Sequence, residues 1–341
     1  MPNPIITQAI DALASRRDLS REQAGAVLAE IMAGNATDTE IAGFLIALRT
    51  KGETVEEIAG LAATMRAFAT PVHAKRDDLV DTAGTGGGRP SFNVSTTAAL
   101  IAAGAGCALA KHGNRSATSL SGSADVLEAL GANIQLGPDD VARCIDEAGF
   151  GFMFAPAHHQ ATRYVVPVRK ELAVRTIFNF LGPLTNPAGA RRQVVGVSDP
   201  AYLETIAGAL ARLGVDRALV VSSEDGMDEM STSAPTRVVE VDGENIHRYT
   251  IAPRDVGLPE SHDAIGGGTP QENAATTRAI LDGERGPARD LAIMNAGAAI
   301  YVGGRADSLS AGVELAHEAV DSGAAVAALE RYVALSRELQ A

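Results

Sequence analysis

The sequence predicts a small all-helical domain followed by a large α/β domain with a mainly parallel central sheet. Three observations carry this. Over residues 3 to about 70, apolar residues recur at helical spacing with capping signals and no strand-like alternation. From Asp77 onward, short apolar runs alternate with helical stretches, the pattern of a parallel sheet covered by helices. The first of these runs ends in glycines, and open α/β sheets hold ligands at the C-terminal ends of their strands.

In the helical part, Ile6, Ile10 and Leu13 mark a first helix, and Ser20 with Gln23 forms a capping-box pattern before a second. Asn35 to Thr39 punctuates the chain. Ile41, Phe44, Leu45 and Leu48 then form an apolar stripe, and Thr54 with Glu57 caps a further helix through Met65. The α/β part begins with a strand at Leu79–Thr82, an Ala-rich helix at Thr97–Gly106 and a strand at Ala108–Ala110. Helices at Ala124–Gly131 and Asp139–Ala148 and strands at Gly151–Ala155 and Gln193–Val197 follow, then a helix at Ala201–Gly214 and a strand at Ala218–Ser222. Val238–Val241 and His247–Tyr249 flank Asp242-Gly243 as a hairpin. The end, Ser308 to Leu339, is helical. Between these, a helix over Val168–Phe180 runs into Gly182-Pro-Leu-Thr-Asn-Pro187, whose two prolines should stop it and return the chain toward the helical domain. The expected domains are therefore 1–72, joined by part of 165–190, and 73–341.

With 341 residues, 46% hydrophobic and 21% charged, the chain can bury a substantial core and does not read as disordered. A net charge of -13 opposes binding to a nucleic-acid polymer, while leaving small phosphates open as ligands. Cys107 and Cys144 lie in apolar stretches and read as two buried thiols, not a disulfide. The N-terminus has no signal-peptide pattern. The longest small-apolar run, Ala98–Ala110, falls short of the ~20 residues of a membrane span. No membrane partner and a cytoplasmic location are expected.

Residues suited to chemistry fall into three groups. Gly84-Thr-Gly-Gly-Gly88 between a strand and a helix can aim backbone N–H groups at an anion. It lacks the Lys-Ser/Thr of a Walker loop, and Arg89 breaks the dinucleotide spacing. Asn93, Ser95 and Thr96 at the opening of the next helix add amide and hydroxyl partners. Lys111-His-Gly-Asn-Arg-Ser116 concentrates two cations, an imidazole, an amide and a hydroxyl just after a strand, and Ser119–Ser123 offers further donors. The adjacent Asp228 and Glu229, on a loop at a strand end, are suitable ligands for Mg2+. Each piece has a plainer reading alone: a tight turn, a solvated basic turn, an acidic turn, and for Arg169 a surface ion pair. No zinc-ligand spacing and no Gly-x-Ser-x-Gly elbow occurs.

Taken together and in order, Gly84–Gly87, Asn93–Thr96, Lys111–Ser116, Ser121–Gly131, Arg175–Asn179, Gly182–Pro187 and Asp228–Ser231 resemble the anthranilate phosphoribosyltransferases. The resemblance covers essentially the whole chain, including the segment Asn295–Gly297. It implies a fold of the nucleoside phosphorylase/phosphoribosyltransferase type, as a homodimer. The implied activity is transfer of the 5-phosphoribosyl group from phosphoribosyl pyrophosphate to anthranilate, releasing pyrophosphate, in tryptophan biosynthesis. It further implies that Gly84, Gly87, Gly88, Ser91, Asn93, Ser95, Thr96, Lys111 and Ser123 hold phosphoribosyl pyrophosphate. Two Mg2+ ions would be bound through Ser95, Asp228 and Glu229. Anthranilate would meet Gly84, Asn114 and Arg169, with His112, His159 and Pro183 along its path. No dedicated catalytic acid or base is implied.

One departure stands out. The family commonly has Asp after Gly-Thr-Gly-Gly, whereas this chain has Gly88 in a loop one residue shorter, with Arg89 as an added cation. Two other readings are a pyrimidine-nucleoside phosphorylase, which would not need the Asp228-Glu229 pair, and a non-catalytic paralogue that binds nucleic acid, which the acidic charge opposes.

Overall fold

The structure is a computed structural model and describes residues 1–116, 119–262 and 265–339. The last two residues of the expected large domain, 340 and 341, lie outside that range. Four helices open the chain: α1 (Pro4–Ala14), α2 (Arg21–Met32), α3 (Asp38–Lys51) and α4 (Val55–Ala67). The last three start in capping boxes, Ser20 with Gln23, Thr37 with Glu40 and Thr54 with Glu57, which satisfy N–H groups left free at a helix start. The stripe Ile41, Phe44, Leu45 and Leu48 is buried, as its spacing predicts. α2 and α4 approach closely enough that a Cβ at Gly60 would stand 2.1 Å from the Arg21 carbonyl oxygen.

The rest of the chain alternates. In order come β1 (Leu79–Gly84), α5 (Val94–Gly104), β2 (Ala108–Gly113), α6 (Ser123–Ala129), α7 (Pro138–Arg143) and β3 (Phe150–Phe154). Next are α8 (Ala155–His158), α9 (Val166–Leu172), α10 (Phe178–Leu184), β4 (Arg192–Gly196), α11 (Leu203–Arg212) and β5 (Arg217–Ser223). The chain ends with β6 (Thr236–Asp242), β7 (Asn245–Ile251), α12 (Pro270–Leu281), α13 (Pro287–Val302), α14 (Leu309–Asp321) and α15 (Ala324–Glu338). The sheet order is β3-β2-β1-β4-β5-β6-β7. β3 to β5 run parallel, and β6 and β7 add an antiparallel hairpin whose turn holds Gly243 at φ 59°. The order departs from β1 in both directions, through β2 on one side and β4 on the other. That places a topological switch point, the preferred ligand crevice of such sheets, at the ends of β1 and β4.

One apolar cluster packs α5, α13, α14 and α15 with residues of the sheet. A second joins α1–α4 to Val165, Val168, Ile177, Phe178, Phe180, Leu181 and Leu184, and continues through α11 to Val195, Ala218, Val220 and Val239 of the sheet. The helical unit therefore shares its core with the sheet, through the segment that the two prolines were expected to redirect.

That segment also holds the main correction. The single helix expected over Val168–Phe180 is two, α9 and α10, separated at Ala173, which takes a left-handed φ of 51°. The prolines do not stop the second at Gly182: Pro183 lies inside α10, which ends one residue later, so little of the helical hydrogen-bond ladder is forfeited. The C-terminal helix is likewise two, parted at Gly323 (φ 76°). α12 and α13 carry little apolar contrast, and the sequence reading passed over them. Yet α13 is buried along most of its length, and its Gly297 admits the backbone of Val313 at 2.8 Å from where a Cβ would sit.

Glu57 is fully buried and accepts from Leu19 N (2.9 Å), Lys51 Nζ (2.9 Å), Thr54 N (2.8 Å) and Thr54 Oγ1 (3.0 Å). Lys51 is itself only 4% exposed at its side chain. Glu57→Ala should therefore cost about 3 kcal/mol, as expected when one partner of a buried pair is removed. Urea unfolding of the variant against the parent checks this.

Candidate functional site

The glycine loop leaves β1 at the switch point. Gly84 pairs in register with Gly196 of β4, and the loop 225–229, which follows β5, lies across both strand ends. Absent side chains make this possible. A Cβ at Gly196 would stand 1.6 Å from the Asp228 carbonyl oxygen, and one at Gly84 would stand 2.8 Å from Asp228 Oδ2. Thr85 N–H donates to Gly196 O (2.8 Å) and Gly86 N–H to Asp228 Oδ2 (2.9 Å). Gly86 and Gly87 take φ of 66° and 80°, values that favour glycine. A Cβ at Gly88 would lie 2.7 Å from Asp228 Oδ1 and 2.9 Å from Asp228 N, so this shortened loop leaves no room for the carboxylate the family commonly carries there. Arg89 is engaged elsewhere: its N–H donates to Gly226 O (2.8 Å) and its guanidinium pairs with Asp225 (3.1 Å), clipping the two loops together.

At the start of α5, Ser95 Oγ lies 3.3 Å from the Lys111 ammonium, which also donates to Thr82 O (2.5 Å) and Thr82 Oγ1 (3.1 Å). Thr96 is buried with no partner on its hydroxyl. The Asn93 side chain is already engaged, donating to Ser121 O (3.1 Å) and accepting from Ser121 Oγ and Asn273 Nδ2 (both 2.9 Å), so it chiefly ties the serine turn to α5. Ser123 opens α6 and donates to Asn114 O (3.3 Å). Lys111 is 1% exposed, and burial pulls its pKa down to about 8 against the raising influence of Asp81 and Glu229. Asp81, fully buried, accepts from Asn186 Nδ2 (2.8 Å) and His112 N (3.1 Å), and burial raises its pKa. The sequence reading assigned no role to Asp81 or Asn186.

Asp228 and Glu229 face the same region. Burial raises both pKa values, and for Glu229 the neighbouring Asp228 charge adds to it. Glu229 Oε2 is shut off from solvent and has no hydrogen-bond partner. Two mutually repelling carboxylates, one with an unpartnered buried oxygen, are hard oxygen donors that fit Mg2+. Among the described residues no cluster of three or more His, Cys, Asp or Glu is placed to hold a metal. That is compatible with an ion that commonly takes one or two carboxylates and shares substrate phosphates.

A further group of the expected site residues is apolar and imidazole-rich. His112 on β2 and His159 after α8 have ring centroids 5.0 Å apart. His112 Nδ1 lies 3.1 Å from the Gly182 carbonyl of α10; a carbonyl only accepts, so Nδ1 carries the proton and Nε2 is a bare acceptor. Burial pulls His112 down to about 3 and His159 to about 4, and neither Nε2 has a partner. Pro183 is buried in α10, and its carbonyl accepts from Gln193 Nε2 (2.9 Å). Arg169 on α9 stands over the Phe178 ring (5.5 Å). It makes no ion pair among the described residues, contrary to the plain surface-pair reading. Burial lowers its pKa, leaving a partly desolvated guanidinium without a carboxylate. Arg115, the second cation of the basic turn, is spent on Asp125 (2.7 Å) and Glu128 (2.6 Å).

A helical unit joined to a mainly parallel sheet, with a glycine loop at the switch point, is the architecture of the glycosyl transferase family that the chain matches. Residues 7–69 match the "Glycosyl transferase family, helical bundle domain", and residues 76–326 the "Glycosyl transferase family, a/b domain". The chain is 53% identical to the anthranilate phosphoribosyltransferase of Rubrobacter xylanophilus, over 98% of both chains. It is 52% identical to that of Symbiobacterium thermophilum, over 96% of this chain and 97% of the other. The crystal structure of the Thermus thermophilus enzyme superposes with a TM-score of 0.92 at 47% identity, over 96% of this chain and 99% of that one. The Saccharomyces cerevisiae enzyme in complex with PRPP and Mg gives 0.89 at 26% identity, over 98% of each chain. The chain belongs to the anthranilate phosphoribosyltransferase family, glycosyltransferases of tryptophan biosynthesis.

The two buried imidazoles carry a pH consequence. Each stays neutral in the folded chain and gains a proton on unfolding below its ordinary value of 6.5. Stability is thus lost as pH falls from 6.5 toward 4, by about 2 kcal/mol per ring at pH 5. Urea unfolding at pH 7 and pH 5 should show the drop, and His112→Gln should show less of it.

Proposed function

We propose that the cleft at the ends of β1 and β4 is where this anthranilate phosphoribosyltransferase holds phosphoribosyl pyrophosphate, with anthranilate reaching it from the His112–Arg169 side. The observation that carries this is that one loop contact sets the Asp228 carboxylate against the Gly86 N–H (2.9 Å) and brings the Glu229 charge within electrostatic reach of the buried Lys111 ammonium. Gly84, Gly87, Gly88, Ser91, Ser95, Thr96, Lys111 and Ser123 form the phosphate and ribose side, with Asn93 holding the serine turn in place. Ser95, Asp228 and Glu229 would hold Mg2+, two ions in this reading. When bound, Mg2+ supplies positive charge to the leaving pyrophosphate.

In the reaction the C1–O bond to pyrophosphate breaks and the anthranilate amine forms the new C1–N bond, losing one proton. Lys111 and the loop N–H groups are preorganised to stabilise charge on the departing oxygen, which is the main demand of such a transfer. The aromatic amine is neutral at pH 7 and needs no strong base to attack. Arg169 presents a planar fork that suits the anthranilate carboxylate. In this reading Asn114 offers its amide to anthranilate as well, and the neutral rings of His112 and His159, with Pro183, line the approach. The acidic chain has no nucleic-acid partner in this reading and works in the cytoplasm. Among the described residues no helix is long and apolar enough to cross a membrane.

The test mixes the protein with anthranilate, phosphoribosyl pyrophosphate and Mg2+ and follows loss of anthranilate fluorescence. Metal-dependent loss is expected. Arg169→Ala should raise the KM for anthranilate by about tenfold or more, the scale of one charge-assisted contact. Asp228→Asn with Glu229→Gln should chiefly raise the Mg2+ requirement. An unchanged anthranilate KM in the arginine variant would remove Arg169 from the acceptor site.

We also assign the helical unit, 1–72 with part of 165–190, to the contact between two copies in a homodimer. Ile5, Ile46 and Val166 are 41%, 37% and 46% exposed on α1, α3 and α9, with α3 packing against both other helices. Light scattering on a sizing column should give twice the chain mass, and Ile46→Asp with Val166→Glu should lower it to one chain.

A further inference from the structure

Arg175 opens one of the segments that carry the family resemblance but has no role assigned so far. It lies on the segment between α9 and α10, is exposed, and still spends its guanidinium on a single point of the glycine loop. Nη2 donates to Gly86 O (3.0 Å), Nη1 donates to Ser198 Oγ (3.1 Å), and Ser198 Oγ in turn donates to the same Gly86 oxygen (3.0 Å). Ser198 N–H is tied to Thr85 Oγ1 (3.2 Å), so this serine is itself fixed by the loop it supports. The other edge of Gly86 is also held, its N–H donating to Asp228 Oδ2 (2.9 Å).

The peptide that follows is thereby oriented. In a trans peptide the C=O of one residue and the N–H of the next point in opposite directions. Holding the Gly86 carbonyl toward Arg175 and Ser198 turns the Gly87 N–H to the opposite side. Among the described residues that N–H has no partner within the chain. Both glycines have positive φ, and glycine is conformationally free, so an unheld peptide could flip and turn an oxygen toward an incoming anion. Two donors at 3.0 Å on one carbonyl, with Thr85 Oγ1 a longer third at 3.5 Å, are a device against that flip.

We propose that Arg175, with Ser198, is a positioning residue for phosphoribosyl pyrophosphate: the two clamp the Gly86 carbonyl and so aim the Gly87 N–H at the pyrophosphate. This rests on the glycine loop being the pyrophosphate cradle. Arg175 acts through the backbone and is not a catalytic residue. Because the segment bearing it links α9, with Arg169, to α10, with Pro183, the clamp also ties the cradle to the anthranilate side.

Steady-state kinetics with both substrates varied separate this from a structural or a merely electrostatic role. Arg175→Ala should raise the KM for phosphoribosyl pyrophosphate about tenfold. It should leave the KM for anthranilate within about twofold, and the melting temperature nearly unchanged, since the side chain is exposed. Ser198→Ala should raise the same KM about threefold. The double variant should be no worse than Arg175→Ala alone, because both act on one carbonyl. Arg175→Lys keeps the charge without the fork and should recover less than half of the loss. Full recovery by lysine, an unchanged KM for phosphoribosyl pyrophosphate, or equal rises in both KM values would overturn the proposal. Lys111→Met, checked for folding by its melting transition, tests the cradle itself. If it raises the KM while Arg175→Ala does not, only the clamp fails. If it too leaves the KM unchanged, the cradle assignment falls and the clamp with it.

Discussion

The site depends on one close approach. Loop 225–229 crosses the C-terminal ends of β1 and β4 so tightly that positions 84, 88 and 196 cannot carry a Cβ without meeting Asp228. Gly196 is the least negotiable of the three, because its obstacle is a backbone oxygen only 1.6 Å from where a Cβ would sit. That contact brings a loop from beyond β5 onto the loop after β1, across more than a hundred residues of chain. It places the Asp228 carboxylate against the Gly86 N–H, with Glu229 next to it in the chain. The arrangement makes chemical sense when a divalent cation and a phosphorylated ligand share the space between them.

Charge balance inside the sheet is the second constraint. An ammonium as buried as that of Lys111 is costly in a low-dielectric interior unless anions offset it. Asp81 does so from the neighbouring strand, and Asn186 holds Asp81 in turn. Asn186 lies in the turn that follows α10. The same hydrogen-bond chain thus runs from the phosphate side of the cleft to the helix that carries Pro183 and accepts from His112. Burial lowers the pKa on both sides. Lys111, held at about 8 by Asp81 and Glu229, still carries its charge near neutrality, whereas His112 and His159, at about 3 and about 4, are neutral.

What was legible in the sequence is what short-range chemistry writes into consecutive residues. Ser20 with Gln23 and Thr54 with Glu57 announce helix starts because the capping box is closed within four residues. Gly84–Gly88 announces a close backbone approach, which Asp228 makes. Asp81, Arg175, Asn186 and Ser198 were invisible as site residues, since each gains its meaning from partners brought together by strand register. The break between α9 and α10 was equally hidden, because Ala173 adopts a left-handed conformation with no glycine or proline to signal it. α12 and α13 escaped for another reason. Hydrophobic periodicity needs contrast between faces, and α13 is buried along most of its length by small residues.

The break at Ala173 decides more than helix count. A continuous helix over Val168–Phe180 would place Arg169 and Arg175 six residues apart on one rigid rod, about 9 Å along its axis and well over a full turn round it. With the helix interrupted, the two side chains are freed from that fixed relation. Arg169 stays on α9 over the Phe178 ring, and Arg175, on the irregular stretch, reaches the Gly86 carbonyl. A non-glycine residue at positive φ is costly and persists only where the surroundings impose it. Here α9 and α10 are both pinned to the core of the helical unit, by Val168 on one side and by Ile177, Phe178 and Leu181 on the other. Packing of the helical unit against the sheet therefore fixes where the two arginines stand, Arg169 directly over the core residue Phe178 and Arg175 through the stretch between α9 and α10.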